Sequence, residues 1–159
     1  MLEARPISFF SQDFGIEAGG QQIALLDVSC WKEAGEISIQ GQPYRLYRER
    51  LMSGAFVLEG EGQPVARAIK PSPFRSQFDL ELDSDRYTLQ RDSAFGRSFS
   101  VFQDRAVVGS IRPAGAFTRR SILDLPSDWS IPIQVFAFWL VLVIWNRDGA
   151  AAAAAGAGG

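Results

Sequence analysis

The stretch Ile131-Pro-Ile-Gln-Val-Phe-Ala-Phe-Trp-Leu-Val-Leu-Val-Ile-Trp145 decides how the rest of this chain must fold. No charged side chain occurs from Trp129 to Asn146, and Gln134 is the only strongly polar one after Ser130. Pro132 suits the first turn of a helix, where its missing N–H has no partner to lose. Ser130 or Ile131 then marks the start and Gly149 the stop, which predicts a helix near 131–147. A helix on the surface of a globular protein keeps a polar face, and this one has none. Nearly every side must therefore meet apolar neighbours, either in a bilayer or inside a closed protein shell. At about 1.5 Å per residue, Pro132 to Trp145 extends roughly 21 Å, short of a hydrocarbon core about 30 Å thick. Trp129 and Trp145 could form an aromatic belt at the two interfaces. The flanks, however, carry no basic asymmetry: Arg119, Arg120, Asp124 and Asp128 precede the run, and Arg147 and Asp148 follow it.

The chain outward from this segment favours the shell. From Glu36 to Arg112 the dominant signal is period-two alternation, as in Ile37 and Ile39, in Phe78, Leu80 and Leu82, and in Tyr87 and Leu89. Each run puts apolar residues on one face of a strand. Turn-forming clusters separate the runs: Gln40 to Pro43, Ser53-Gly54, Gly60 to Gly62, Asp83 to Asp85, Gln103-Asp104 and Pro113 to Gly115. Roughly ten strands with one apolar face each need something to bury against, and a barrel that wide needs a filling. The expectation is a mainly β protein: an antiparallel β-barrel of about ten to twelve strands enclosing a C-terminal hydrophobic α-helix. Phe136, Phe138, Trp139, Leu140, Leu142 and Ile144 are the residues placed in its centre. The expected organisation is a single domain over 1–148, followed by a low-complexity Ala/Gly tail over 149–159, disordered or weakly helical. A weak repeat accompanies the alternation: Phe56, Leu58, Val65, Ala66 and Ala68 recur 43 residues on as Phe99, Val101, Val108, Gly109 and Ile111. Two hairpins that merely share alternation would give the same pattern.

Composition excludes more than it assigns. The 159 residues hold 16 basic and 18 acidic side chains, a formal charge of −2, so no overall basic field is available to a nucleic acid. There is no histidine, which removes His-based triads and histidine metal sites. The single Cys30, beside Trp31, excludes an intramolecular disulfide and reads as a small core residue. No glycine loop with a following lysine appears. Asp83, Asp85, Asp92 and Asp104 fall at hairpin turns, where aspartate serves the backbone. The expectation is a protein that is not an enzyme, with no cofactor and no metal. The opening Met1-Leu-Glu-Ala-Arg-Pro6 lacks a signal-peptide pattern, which points to the cytoplasm.

The order of these features resembles a known group. An alternating meander leads to Phe99-Ser-Val-Phe-Gln-Asp-Arg-Ala-Val-Val-Gly-Ser-Ile111, then Leu123-Asp-Leu-Pro-Ser-Asp128, then the terminal apolar run. Over approximately Tyr44 to Arg147 this resembles the tubby C-terminal-like superfamily, which includes LURP-one-related proteins and phospholipid scramblases. The resemblance implies a roughly twelve-stranded barrel threaded by its C-terminal helix, and an activity directed at membrane phospholipid. The cysteine cluster and acidic calcium-binding stretch associated with scramblases have no counterpart here.

Candidate lipid-headgroup contacts follow from residue chemistry. Lys70-Pro-Ser-Pro-Phe-Arg75 is a stiff loop in which Lys70 and Arg75 flank Phe74, a pattern suited to anionic headgroups with the aromatic ring in the interface. Read blandly, it is a solvated connection made rigid by two prolines. Arg119 and Arg120 precede the apolar run and are the other candidates. Arg45, Arg48 and Arg50 read instead as a wet strand face with cross-strand ion pairs. The resulting expectation is a non-catalytic module that binds anionic phospholipid at a membrane surface, or a protein partner, and is cytoplasmic or membrane-associated. The alternative is a membrane protein anchored by its C-terminal run, with a cytosolic β-domain. A small-ligand carrier would need an empty lumen, which an enclosed helix denies.

Overall fold

The computed structural model describes residues 1–29, 32–49 and 54–158; Cys30, Trp31, Arg50 and Ser53 lie outside the described residues. Twelve strands run in order: β1 (Leu2–Pro6), β2 (Phe14–Ala18), β3 (Gln21–Ser29), β4 (Ala34–Ile39), β5 (Gln42–Arg48), β6 (Phe56–Gly60), β7 (Gln63–Ile69), β8 (Gln77–Leu82), β9 (Asp85–Arg91), β10 (Phe99–Gln103), β11 (Ala106–Pro113) and β12 (Ser121–Asp124). Each pairs antiparallel with its sequence neighbours, and β1 pairs with β12 through Leu2↔Leu123 and Ala4↔Ser121, so the sheet closes. Closure leaves no unpaired edge. Among the described residues one helix, α1 (Ile131–Ala157), follows β12 and runs through the barrel's core.

Burial explains the alternation. Inward-facing Ile37, Leu46, Phe78, Leu80, Leu89, Val101 and Ile111 are buried, as are Pro132 and Gln134 to Ile144 on the helix. Phe136, Phe138, Trp139, Leu140, Leu142 and Ile144 all lie in this core, as expected. Phe138 meets Phe14 edge-on at 5.1 Å, and Trp139 meets Phe56 edge-on at 5.7 Å. Such contacts between ring edges and faces add to area burial. Gln134, the one polar side chain in the run, donates its Nε2 to the Trp129 carbonyl at 2.9 Å and so enters the core with a partner.

The repeat is threefold and spans the whole barrel. Ala4↔Ile16, Leu46↔Leu58 and Leu89↔Val101 are equivalent register pairs, as are Leu26↔Ile37, Ala68↔Leu80 and Ile111↔Leu123. The register shifts recur too, at Ile16/Glu17, Leu58/Glu59 and Val101/Phe102. Each unit is therefore four strands, β1–β4, β5–β8 and β9–β12, at offsets of 42 and 43 residues.

One expectation needs correction. Gly149 does not stop the helix, which runs through Ala150–Ala155 to Ala157 with Gly158 at its end. Alanine is the strongest helix former, and a single glycine costs only about 1 kcal/mol against it. Residues 149–157 are thus an exposed helical extension of α1, the helical of the two readings given for the tail. The barrel wall also includes β1, β2 and β3, which precede the first clearly alternating run and supply a quarter of it.

Candidate functional site

Antiparallel order sends the connections alternately to two ends of the barrel, and the ends differ. At one end the strand hairpins close by two-residue turns: Gly19-Gly20, Gln40-Gly41, Glu61-Gly62, Asp83-Ser84 and Asp104-Arg105. Positive φ angles at Gly20 (82°), Gly41 (81°), Gly62 (73°) and Arg105 (72°) belong to the tight turns that match strand twist. Asp83 and Asp104 also sit at positive φ in these turns, which accords with their reading as turn residues. The helix enters from this end and leaves at the other.

The opposite rim carries six connections, whose described residues are 7–13, 32–33, 49 with 54–55, 70–76, 92–98 and 114–120. Phe9, Phe10, Phe74, Phe95 and Phe117 stand on four of them and are 85% to 105% exposed. In the closed strand order these four connections are consecutive around the rim. Scattered exposed apolar residues are ordinary, but five phenylalanines on one rim are not. Their loops are braced. Ile7 N–H donates to the Asp13 carbonyl, Asp92 N–H to that of Ser98 and Ala114 N–H to that of Arg120, at 2.8 to 3.0 Å. Turns closed by Ser11 N–H on the Ser8 carbonyl and Gly96 N–H on the Ser93 carbonyl hold Phe10 and Phe95 at their tips.

Arginines tie neighbouring loops together. Arg97 Nη1 donates to the Thr118 carbonyl at 3.3 Å, joining the loops of Phe95 and Phe117. Arg119 reaches the carbonyls of Phe9 at 3.1 Å and Ser11 at 2.5 Å, joining the loop of Phe117 to that of Phe9 and Phe10. The same guanidinium lies 5.6 Å from the Phe14 ring, while Arg48 and Arg91 lie over the equivalent Phe56 and Phe99 at 5.7 and 5.5 Å. The rim-side core phenylalanine of every unit is thus capped by a cation, from its own unit for Phe56 and Phe99 and from the third unit for Phe14.

All five sequence-derived headgroup candidates lie at this rim, in different roles. Phe74 is fully presented to solvent. Arg75 is exposed, and its guanidinium has no partner among the described residues. Lys70 turns inward: its Nζ donates to the Ser72 carbonyl at 2.7 Å and to that of Arg75, bracing its own loop. Partial burial, and secondarily the Arg147 charge, lowers its pKa from the usual lysine value. Arg119 braces two loops as described, and Arg120 pairs with Glu3 at 2.5 Å. Arg45 and Glu59 are register partners and form an ion pair at 3.5 Å, as read for the wet strand face; Arg48 pairs with Glu33 at 3.3 Å.

Phe9, Phe10, Phe95, Phe117 and Arg97 were not singled out by composition or alternation. The repeat holds their signal: Phe74 and Phe117 are 43 residues apart, and Phe10, Met52 and Phe95 are spaced by 42 and 43. Charge segregates as well. Among the described residues the rim connections hold six basic and four acidic side chains, whereas the other end's connections hold Arg105 alone against Glu61, Asp83, Asp104 and Asp128. The near-neutral total therefore conceals a molecule basic at the phenylalanine rim and acidic at the other.

No family model, curated protein or solved structure shows significant similarity to the chain. The rim's own chemistry is left as the guide to what it contacts: separate aromatic fingers on braced loops, interleaved with arginines.

Proposed function

We propose that the protein is a non-catalytic module of tubby-like kinship that docks, rim first, on anionic phospholipid membrane from the cytoplasmic side. The twelve-stranded barrel threaded by a C-terminal helix supports the kinship. The observation that carries the membrane reading is the recurrence of large apolar residues at the rim positions of the repeat, in Phe74 and Phe117 and in Phe10 and Phe95. Outward strand positions are mixed: Arg5, Tyr47 and Gln90 have diverged, while Glu17 and Glu59 recur as a polar pair. Exposed phenylalanine gains nothing in water, and burying one is worth about 1.5–3 kcal/mol. Isolated fingers suit a fluid interface that moulds itself around them, and the basic rim matches the anionic cytoplasmic leaflet. A protein partner would be better served by a shaped, contiguous patch.

Vesicle flotation tests this. The full chain floats with phosphatidylcholine vesicles that contain phosphatidylserine, and Phe74→Ser/Phe95→Ser/Phe117→Ser abolishes flotation without changing the fold. Flotation of the triple variant equal to that of the unaltered chain rejects the rim as the docking face. Alkaline carbonate extraction releases the unaltered chain; resistance to it favours the C-terminal anchor instead.

A further inference from the structure

The helix does not fill the barrel up to the rim. Beside its last enclosed turns lies a cleft of about 590 Å³, with Val28 of β3 and Trp139, Leu142 and Val143 of α1 on its apolar side and Glu33, Asn146 and Arg147 on its polar side. A smaller pocket of about 150 Å³ shares Gln12, Val28, Leu142 and Asn146 with it and adds Phe14, Trp145, Arg97 and Arg119. Sharing four residues, they form one hollow with an apolar floor, the Glu33–Arg147 ion pair at one end and Arg97 and Arg119 at the other. Its size lies within the roughly 300–1,000 Å³ usual for small-ligand sites.

We infer that this hollow holds the single acyl chain of an anionic amphiphile, with the chain against Trp139, Leu142 and Val143 and the head group at Trp145, Arg97 and Arg119. Three observations converge on the anionic head. The Trp145 indole N–H is buried and has no hydrogen-bond partner among the described residues, and a buried donor left unmade is costly. The Arg97 guanidinium stacks on the Trp145 ring at 4.6 Å, which puts a cation beside that open donor. Arg119 lines the same pocket. Arg147, at the other end, is already paired with the Glu33 carboxylate at 2.6 Å, whereas Arg97 and Arg119 donate only to backbone carbonyls, so the positive charge without a carboxylate partner lies at the Trp145 end. A carboxylate or phosphate accepts from all three groups, while a neutral head group leaves two guanidiniums uncompensated. The apolar lining selects a chain, since each buried methylene contributes about 0.8 kcal/mol.

The assignment concerns a different surface from the phenylalanine tips, and its test is arranged so that the two fail separately. Calorimetric titration below the critical micelle concentration uses dodecanoate, dodecyl phosphate and neutral dodecyl maltoside, with tryptophan emission as a second readout. Saturable one-to-one binding of at least one anion, about tenfold tighter than the maltoside, is expected, with about tenfold weakening in Arg97→Gln and in Trp145→Phe. Preference between carboxylate and phosphate then distinguishes a free fatty acid from a lysophospholipid as the source. Phe74→Ser/Phe95→Ser/Phe117→Ser binds the anion unchanged even if it no longer floats with vesicles. Absence of saturable binding, equal affinity for the neutral amphiphile, or indifference to both cleft substitutions overturns the inference.

Discussion

Arg105 shows how a single residue departs from a rule its neighbours obey. It occupies the second turn position between β10 and β11 at φ 72°, where the equivalent positions hold Gly62 at 73° and Gly20 at 82°. A side chain there brings Cβ against the carbonyl oxygen, at a cost of roughly 1–2 kcal/mol that glycine avoids. Glycine gives back part of this through its freedom in the unfolded chain. Arg105→Gly is therefore expected to stabilise the barrel by about 1 kcal/mol, raising the melting temperature by about 2–4 °C for a domain of this size. Thermal unfolding followed by circular dichroism measures it, and an unchanged or lower midpoint contradicts the argument. The same residue scale shows what sequence alone withheld. Phe74 drew attention because Pro71 and Pro73 stiffen its loop and two cations flank it. Phe95, between Ala94 and Gly96, and Phe117, between Ala116 and Thr118, have the same exposure without that chemistry. An aromatic ring in a short connection is by default assigned to the core, and only its place in the repeat says otherwise.

Elements were legible in proportion to how cleanly their periodicity survives. Strands such as β8, with Phe78, Leu80 and Leu82 buried and Gln77, Asp79 and Glu81 half-buried, keep strict alternation and were readable. β3 is not, because Ile23-Ala-Leu-Leu26 runs four apolar residues together, leaving Leu25 exposed and Leu26 buried. β2 is five residues long with Gly15 inside it, too little pattern to stand alone. The helix was legible because no soluble surface tolerates an apolar face all round, and its overrun past Gly149 was not, because propensity outweighs one glycine. Two changes separate its enclosed part from its protruding part. Phe138 is fully buried among Phe14 and Trp145, so Phe138→Asp places an unpaired charge in the barrel's centre, where desolvation alone costs several kcal/mol. The variant is expected to lose the cooperative thermal transition. Deleting residues 151–159 removes only solvent-exposed helix and is expected to shift stability by less than about 0.5 kcal/mol. A cooperative, wild-type-like melt of Phe138→Asp, or a large loss on truncation, reverses the assignment of which segment the barrel needs.

At the scale of the whole molecule, the feature that matters is the separation of charge between the two ends. Total charge is −2, which by itself predicts weak repulsion from an anionic surface. The rim connections nevertheless carry an excess of basic residues and the opposite turns an excess of acidic ones. Screening decides which quantity a membrane senses. The Debye length is about 8 Å at physiological ionic strength, so a rim in contact with headgroups feels the bilayer while the far end of the barrel does not. Each basic residue near such a surface is worth about 1 kcal/mol. Orientation then matters more than net charge, and charge-matched variants isolate it. Arg75→Glu with Arg97→Glu changes the formal charge by −4 at the rim; Arg86→Glu with Arg105→Glu makes the same change at the acidic end. The rim pair is expected to weaken binding to phosphatidylserine-containing vesicles by at least about tenfold, since two attractive contributions become repulsive. The distal pair is expected to change it by less than about twofold, because its charges lie beyond the screening distance. Raising the salt concentration should weaken the unaltered chain and the distal pair alike while barely affecting the rim pair. Equal weakening by both pairs would mean that the barrel responds to its total charge and approaches lipid in no preferred orientation.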